Sequence, residues 1–332
     1  MRLPHLTTIG RGLRTRAATL VLRRRHAAHG APRKIVIHIG AHKTGSSVVQ
    51  SLLKSESRRL RWRGFGYERA FYRLGRTLAH QSPVPDAQRE ILRREVCARL
   101  NGRPEPTILA SSESFFGDPF ASYANIRHVA EDLRSVLEDW PVHIVACIRR
   151  QDEFIESLYH QHVKQGGALS FERFVESHDI HAYRWDELLR EYAQVFGREN
   201  LTVCSYDVLF RKGTDVIAGM FPVLRQAGFR TRARAAIINP SLSQKGLDMA
   251  LRCNELLTPD EQKVFRRFLE QTFPRRSGEP HGLFTASQRD ELLHFYAPSN
   301  LRCFDEFLPY ALPADWLGTL PPATLDAGVT RV

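Results

Sequence analysis

A chain of 332 residues, 42% hydrophobic and 25% charged, has an ordinary globular composition and enough length to bury one large core or two smaller ones. Its net charge of +12 is uneven: the first 34 residues hold nine cations, from Arg2 to Lys34, and no acid, which leaves only about +3 for the rest. That remainder argues against nucleic acid as the partner, and no apolar run approaches the ~18 residues of a membrane span.

In chain order, residues 1–33 read as a basic, flexible leader, whose Arg-rich composition also suits a targeting segment or contact with a membrane surface. Four short apolar or β-branched runs then have the texture of buried parallel strands: KIVIHIG, PTILASSE, VHIVACIRR and NLTVCSY. Helical patterns accompany them. TGSSVVQSLLKSESRRL follows the first, YANIRHVAEDLRSVLEDW precedes the third, and RQDEFIESLYHQHVKQ follows the third. This alternation predicts an α/β fold with a parallel sheet flanked by helices. After Tyr206 the strands stop. TDVIAGMFPVLRQAGF, LSQKGLDMALRCNELL, PDEQKVFRRFLEQTF and ASQRDELLHFYAP predict a helical C-terminal extension of the same domain, 34–312, followed by a tail, 313–332. Asp207 and Ser243 read as caps or turns.

The five cysteines, Cys97, Cys147, Cys204, Cys253 and Cys303, form no C-x-x-C pair and are odd in number. They predict buried thiols in a reducing compartment, and the scattered histidines give no metal site. With no secretory signal, the chain reads as cytoplasmic, and as membrane-peripheral if the leader binds lipid.

The loop after the first strand carries the chemistry. Ligands of parallel α/β sheets gather at the carboxyl ends of strands, and a helix opening near Gly45 aims unpaired N–H groups at an anion. Gly40 and Gly45 permit a tight turn, while Thr44, Ser46 and Ser47 add hydroxyl donors. The run G-A-H-K-T-G-S-S keeps the two-glycine spacing of the ATP-binding loop, but Ser46 stands where that loop has its lysine, and Lys43 lies on the strand side. A plain Gly-bounded turn with an exposed lysine is the bland alternative.

H-K-T-G-S-S after an apolar strand resembles the phosphosulfate-binding loop of the sulfotransferase family, whose fold is of the P-loop nucleotide-binding type. The resemblance implies 3′-phosphoadenosine 5′-phosphosulfate as sulfuryl donor, with no metal. It implies that Lys43 reaches the bridging oxygen and leaving phosphate and that Gly45, Ser46 and Ser47 hold the 5′-phosphate; His42 and Thr44 belong to the same cofactor-binding loop, His42 shaping it or, as a minor candidate, serving as the base. A second family signature is an arginine at a strand end with a serine eight residues on, gripping the 3′-phosphate. Arg149 and Ser157 match it. Gln151 departs from the proline common in the family. The resemblance covers roughly residues 34–229 and weakens beyond; the later segments look like those of bacterial carbohydrate sulfotransferases.

Sulfuryl transfer needs a general base for the acceptor, and the family uses Glu or His. Two residues compete. Glu113 ends PTILASSE and should project from the same carboxyl edge as Lys43 and Arg149. His80, read as a loop residue, has an ordinary pKa suited to the task. The resemblance implies a glycan or lipid-linked sugar as acceptor, through a hydroxyl or amine. Arg58, Arg59, Arg61 and Arg63 could face its charge, and Trp62, Tyr67 or Phe71 its rings; a solvated helix end explains them equally well. Gly166 and Gly167 fit a lid hinge or a helix stop. Alternative functions are a P-loop kinase, a non-catalytic nucleotide-binding protein and a basic nucleic-acid binder.

Overall fold

The computed structural model describes residues 34–101, 103–211, 215–232, 241–275 and 282–318. The leader and the end of the tail lie outside them. Five strands, β1 (Lys34–Gly40), β2 (Phe65–Tyr67), β3 (Thr107–Ser111), β4 (Val142–Ile148) and β5 (Leu201–Ser205), form one parallel sheet in the order β2-β3-β1-β4-β5. The four predicted strands are all present, and β2 is an addition at the edge beside β3.

Along β1, successive side chains alternate between faces, yet Ile35, Val36, Ile37, His38 and Ile39 are all buried. A strand covered on both faces reads as a continuous apolar run, which is why KIVIHIG is so legible. On one face Val36, Leu109 and Val145 pack with Val49, Leu52 and Leu53 of α1 (Ser46–Ser55) and with Ile217, Met220 and Leu224 of α9 (Val216–Met220) and α10 (Pro222–Gln226). Each such side chain contributes about 1.5–3 kcal/mol by leaving water. The segment predicted as one helix divides into α9 and α10 because Pro222 biases Phe221 to an extended backbone, φ −107° and ψ 94°.

The remaining helices are α2 (Ser57–Trp62), α3 (Ala70–Gln81), α4 (Asp86–Asn101), α5 (Ile126–Val136), α6 (Gln151–Lys164), α7 (Phe171–Ser177), α8 (Trp185–Phe196), α11 (Gln244–Asn254), α12 (Pro259–Thr272) and α13 (Ala286–Phe307). The described residues divide into two compact units: 34–117, 125–147 and 192–232 in the first, and 118–124, 148–191 and 241–318 in the second.

The first unit holds the sheet. Its α3 and α4 occupy the stretch around His80 and beyond, and both pack on α5. The second unit is helical and rich in satisfied polar groups. Phe154 meets the edges of Tyr183 and Trp185, with ring centroids 4.9 and 5.2 Å away. Fully buried Asp186 accepts from Arg190, Arg302 and the Ser299 hydroxyl. Gln151 and Asn300 exchange amide hydrogen bonds at 2.8 and 3.2 Å. Capping boxes open α12 at Thr258 and Glu261 and α13 at Thr285 and Gln288. Helix α13 continues through Pro298 to Phe307, beyond the segment read from sequence. At the end of α6, Gly167 N–H reaches His162 O and Gly166 N–H reaches Val163 O, so these glycines form a Schellman helix stop.

Candidate functional site

The strand order turns back on itself at β1, whose neighbours β3 and β4 lie on either side, and ligands favour such switch points. The chain leaves β1 with Gly40 at φ +106°, Lys43 at +59° and Gly45 at +86°, then enters α1 at Ser46. The loop is tied internally: Thr44 Oγ1 donates to Ala41 O at 2.6 Å, and Ala41 N–H donates to Cys147 O at the end of β4 at 2.8 Å. Gly45 is the N-cap, no side chain caps the helix, and its first turn has no acid. The positive end of the α1 dipole is therefore uncompensated by its own sequence.

Two glycines are there for close approach. A Cβ on Gly40 would stand 3.2 Å from the Cα of Glu113. A Cβ on Gly45 would stand 2.8 Å from Cε2 of the Phe210 ring and closer still to its Cζ. Phe210 in turn stacks on Tyr206, with centroids 4.7 Å apart.

Ser46 Oγ is buried and makes no hydrogen bond, while Ser47 is exposed. A buried hydroxyl without a partner is a standing cost, about 1–3 kcal/mol, that an anion's oxygen removes. Thr44 is fully buried and Lys43 partly so. His42 is partly buried, and desolvation, with the Lys43 ammonium adding to it, lowers its pKa to about 3. It is neutral at pH 7.

Glu113 opens a 3-10 turn, Glu113–Phe116, directly after β3 and Ser112. Its Oε2 accepts from Gln50 Nε2 of α1 at 2.9 Å. The structure thus brings the phosphate-type loop and Glu113 together at the carboxyl ends of β1 and β3. The neighbouring Tyr67 hydroxyl is pushed up to about 12, by burial first, against Arg69 and with help from the charges of Glu113 and Glu68. Beneath the loop, His38 Nδ1 lies 2.9 Å from Ser111 Oγ, its Nε2 has no partner, and burial lowers its pKa to about 3.

His80 is elsewhere. It is an exposed residue in the last turn of α3, not a loop residue, and no described contact links it to the loop. Phe71 is no ring-stacking platform either: it is buried edge-on against Phe115. Trp62 remains 60% exposed. Arg59 bonds Glu56 and lies over the Phe229 ring, and Arg61 pairs with Glu105, so both have structural partners.

In the second unit, Arg149 follows β4 immediately. Its carbonyl accepts from Trp185 Nε1 at 2.8 Å, and its guanidinium contacts Glu153 at 3.0 and 3.2 Å. Arg150 grips Asp152 and Asp315. Ser157 lies on α6, partly buried. Gln151, where the resembling family favours proline, is the buried partner of Asn300.

Sequence reading missed Gln50 and Phe210. Both act across long separations, 63 residues in the case of Gln50 and Glu113, and local periodicity carries no such signal. Among the described residues no cluster of three or more His, Cys, Asp or Glu could hold a metal, and no helix is long and apolar enough to cross a membrane.

No family model matches the chain. It is 30% identical over 205 residues to an uncharacterized protein of Archaeoglobus fulgidus, an overlap of 60% of this chain and 53% of that one. The chain thus matches about half the length of that relative. It is also similar to the crystal structure of a sulfotransferase from Alicyclobacillus acidocaldarius, with 16% identity and a TM-score of 0.48, covering 86% of this chain and 99% of that one.

Proposed function

We propose that the protein is a sulfotransferase that moves a sulfuryl group from 3′-phosphoadenosine 5′-phosphosulfate to a hydroxyl or amine of a glycan or lipid-linked sugar. The observation that carries this reading is the buried, partnerless Ser46 hydroxyl at the uncapped start of α1, inside the motif H-K-T-G-S-S. Such a loop fits a phosphate, and the lysine ahead of the second glycine fits a phosphosulfate better than a triphosphate.

When bound, the donor supplies a sulfuryl group carried on a phosphate leaving group. Gly45, Ser46 and Ser47 would hold the 5′-phosphate, with His42 and Thr44 shaping the loop, and Arg149 with Ser157 the 3′-phosphate. The Lys43 ammonium stabilises negative charge on the leaving side. Glu113 takes the acceptor's proton as general base. Support for it over His80 comes from its place against Gly40 and its tether to Gln50, whereas His80 is exposed at the end of α3. The neutral His42 adds no charge to compete with Lys43.

The test is thermal stability with 3′-phosphoadenosine 5′-phosphate or with ATP and Mg²⁺, for wild type and Lys43→Ala. A ligand at about 100 times its Kd adds roughly 2.7 kcal/mol. Stabilisation by the bisphosphate, reduced in Lys43→Ala, is expected. Stabilisation by ATP alone would sink the proposal and favour a kinase. Sulfate transfer to a glycan panel then identifies the acceptor; donor binding without transfer to any acceptor would mark a non-catalytic nucleotide binder.

A further inference from the structure

Arg149, Glu153 and Ser157 follow one another at four-residue intervals, on one side of α6 and the turn before it. Glu153 lies between the other two. Its Oε2 accepts from Nε and Nη2 of Arg149 at 3.2 and 3.0 Å, and its Oε1 is 3.4 Å from Arg150 Nη2. Only about a tenth of the side chain of either Arg149 or Glu153 is exposed, so solvent screens this pair little. The surroundings do not make the place electropositive. Arg150 is held by Asp152 and Asp315, and Arg289 by Asp152 and Glu156. A phosphate reaching from Arg149 to Ser157 would meet the Glu153 carboxylate, which already occupies the Nε/Nη2 edge of the guanidinium.

We infer that Glu153 is an internal anion that competes with the 3′-phosphate for Arg149 and thereby sets how tightly the bisphosphate is held. This rests on the proposed function above and adds a residue that weakens binding to the two that make it. Arg150 is positioned to keep Glu153 when the phosphate takes Arg149, so the exchange leaves no carboxylate stranded in a poorly solvated place. The same carboxylate returns to Arg149 as the bisphosphate departs, which favours release of the product.

The experiment is calorimetric titration of the full chain with adenosine 3′,5′-bisphosphate and with adenosine 5′-monophosphate, for wild type, Glu153→Gln and Arg149→Ala. The expected result is about tenfold tighter bisphosphate binding in Glu153→Gln, with monophosphate affinity unchanged. If Glu153→Gln proves too unstable to purify, Glu153→Asp, one methylene shorter, is expected to shift binding in the same direction by less. Unchanged or weaker bisphosphate binding in Glu153→Gln, with preference for the bisphosphate still lost in Arg149→Ala, overturns the inference and leaves the 3′-phosphate assignment intact. Equal affinity for both nucleotides in all three proteins overturns the inference and that assignment together.

Discussion

Replacing Gly45 by alanine strikes the loop in two separable ways. The residue sits at φ +86°, where an L side chain is strained by about 1–2 kcal/mol. The added methyl would also press into the Phe210 ring, 2.8 Å from Cε2 where ordinary contact is 3.4–4 Å. Overpacking of that kind costs about 1–3 kcal/mol. The sum is roughly 2–5 kcal/mol, which at about 2–4 °C per kcal/mol lowers the melting temperature by roughly 4–20 °C. A double-mutant cycle with Phe210→Ala separates the terms in thermal or denaturant unfolding. Removing the ring relieves the clash and leaves the backbone strain, so the double variant should be more stable than the sum of the singles predicts, by about 1–3 kcal/mol. Strict additivity, or a Gly45→Ala cost below about 1 kcal/mol, would refute the claim that the glycine exists to admit the ring.

Ser46→Ala deletes a buried hydroxyl that has no partner, so the unliganded protein should be unchanged or up to about 3 kcal/mol more stable while bisphosphate binding weakens; a loss of unliganded stability above about 1 kcal/mol would reveal a partner for it. Glu113→Gln keeps the shape and the Gln50 contact region but not the base, and should lower kcat by about 10²–10⁴ with bisphosphate affinity intact; His80→Ala should leave kcat unaltered, and the reverse pattern would move the base to His80. His38 is buried neutral, with its pKa lowered from 6.5 to about 3, so the unfolded chain binds more protons between those values. Its contribution to stability is therefore complete above pH 6.5 and falls as pH drops, by up to about 1.4 kcal/mol per unit. His38→Gln should flatten that part of the stability profile measured by denaturant titration; an unchanged slope would contradict the assignment.

The sheet was legible because its inner strands are buried on both faces and so spell continuous apolar words; KIVIHIG spans β1 without a residue to spare. Strand β2 was not legible. Its three residues include Gly66 and sit between Arg63 and Glu68, with too little length for a period. The helices α3 and α4 hid for another reason: α3 is crowded with arginine and aromatic residues, and α4 breaks its apolar positions with seven charged residues in 16. In the candidate site the loop was visible because phosphate-type turns are local, written in neighbouring glycines and hydroxyls. The tether from Gln50 to Glu113 and the ring against Gly45 were invisible because they depend on how distant segments meet. His80 illustrates the converse, a residue of suitable chemistry that folding carries to an exposed helix end.

The amide pair of Gln151 and Asn300 joins residues 149 positions apart, both fully buried, and Asp186 likewise waits for Ser299 and Arg302. On a ribosome adding about 5–20 residues per second, the start of α6 would remain without that partner for roughly 7–30 s. A nascent chain stalled before α13 would therefore carry unmet amide and carboxylate groups in its second unit. Truncations that remove Ser299, Asn300 and Arg302 from α13 should therefore behave as folding defects instead of silent trims.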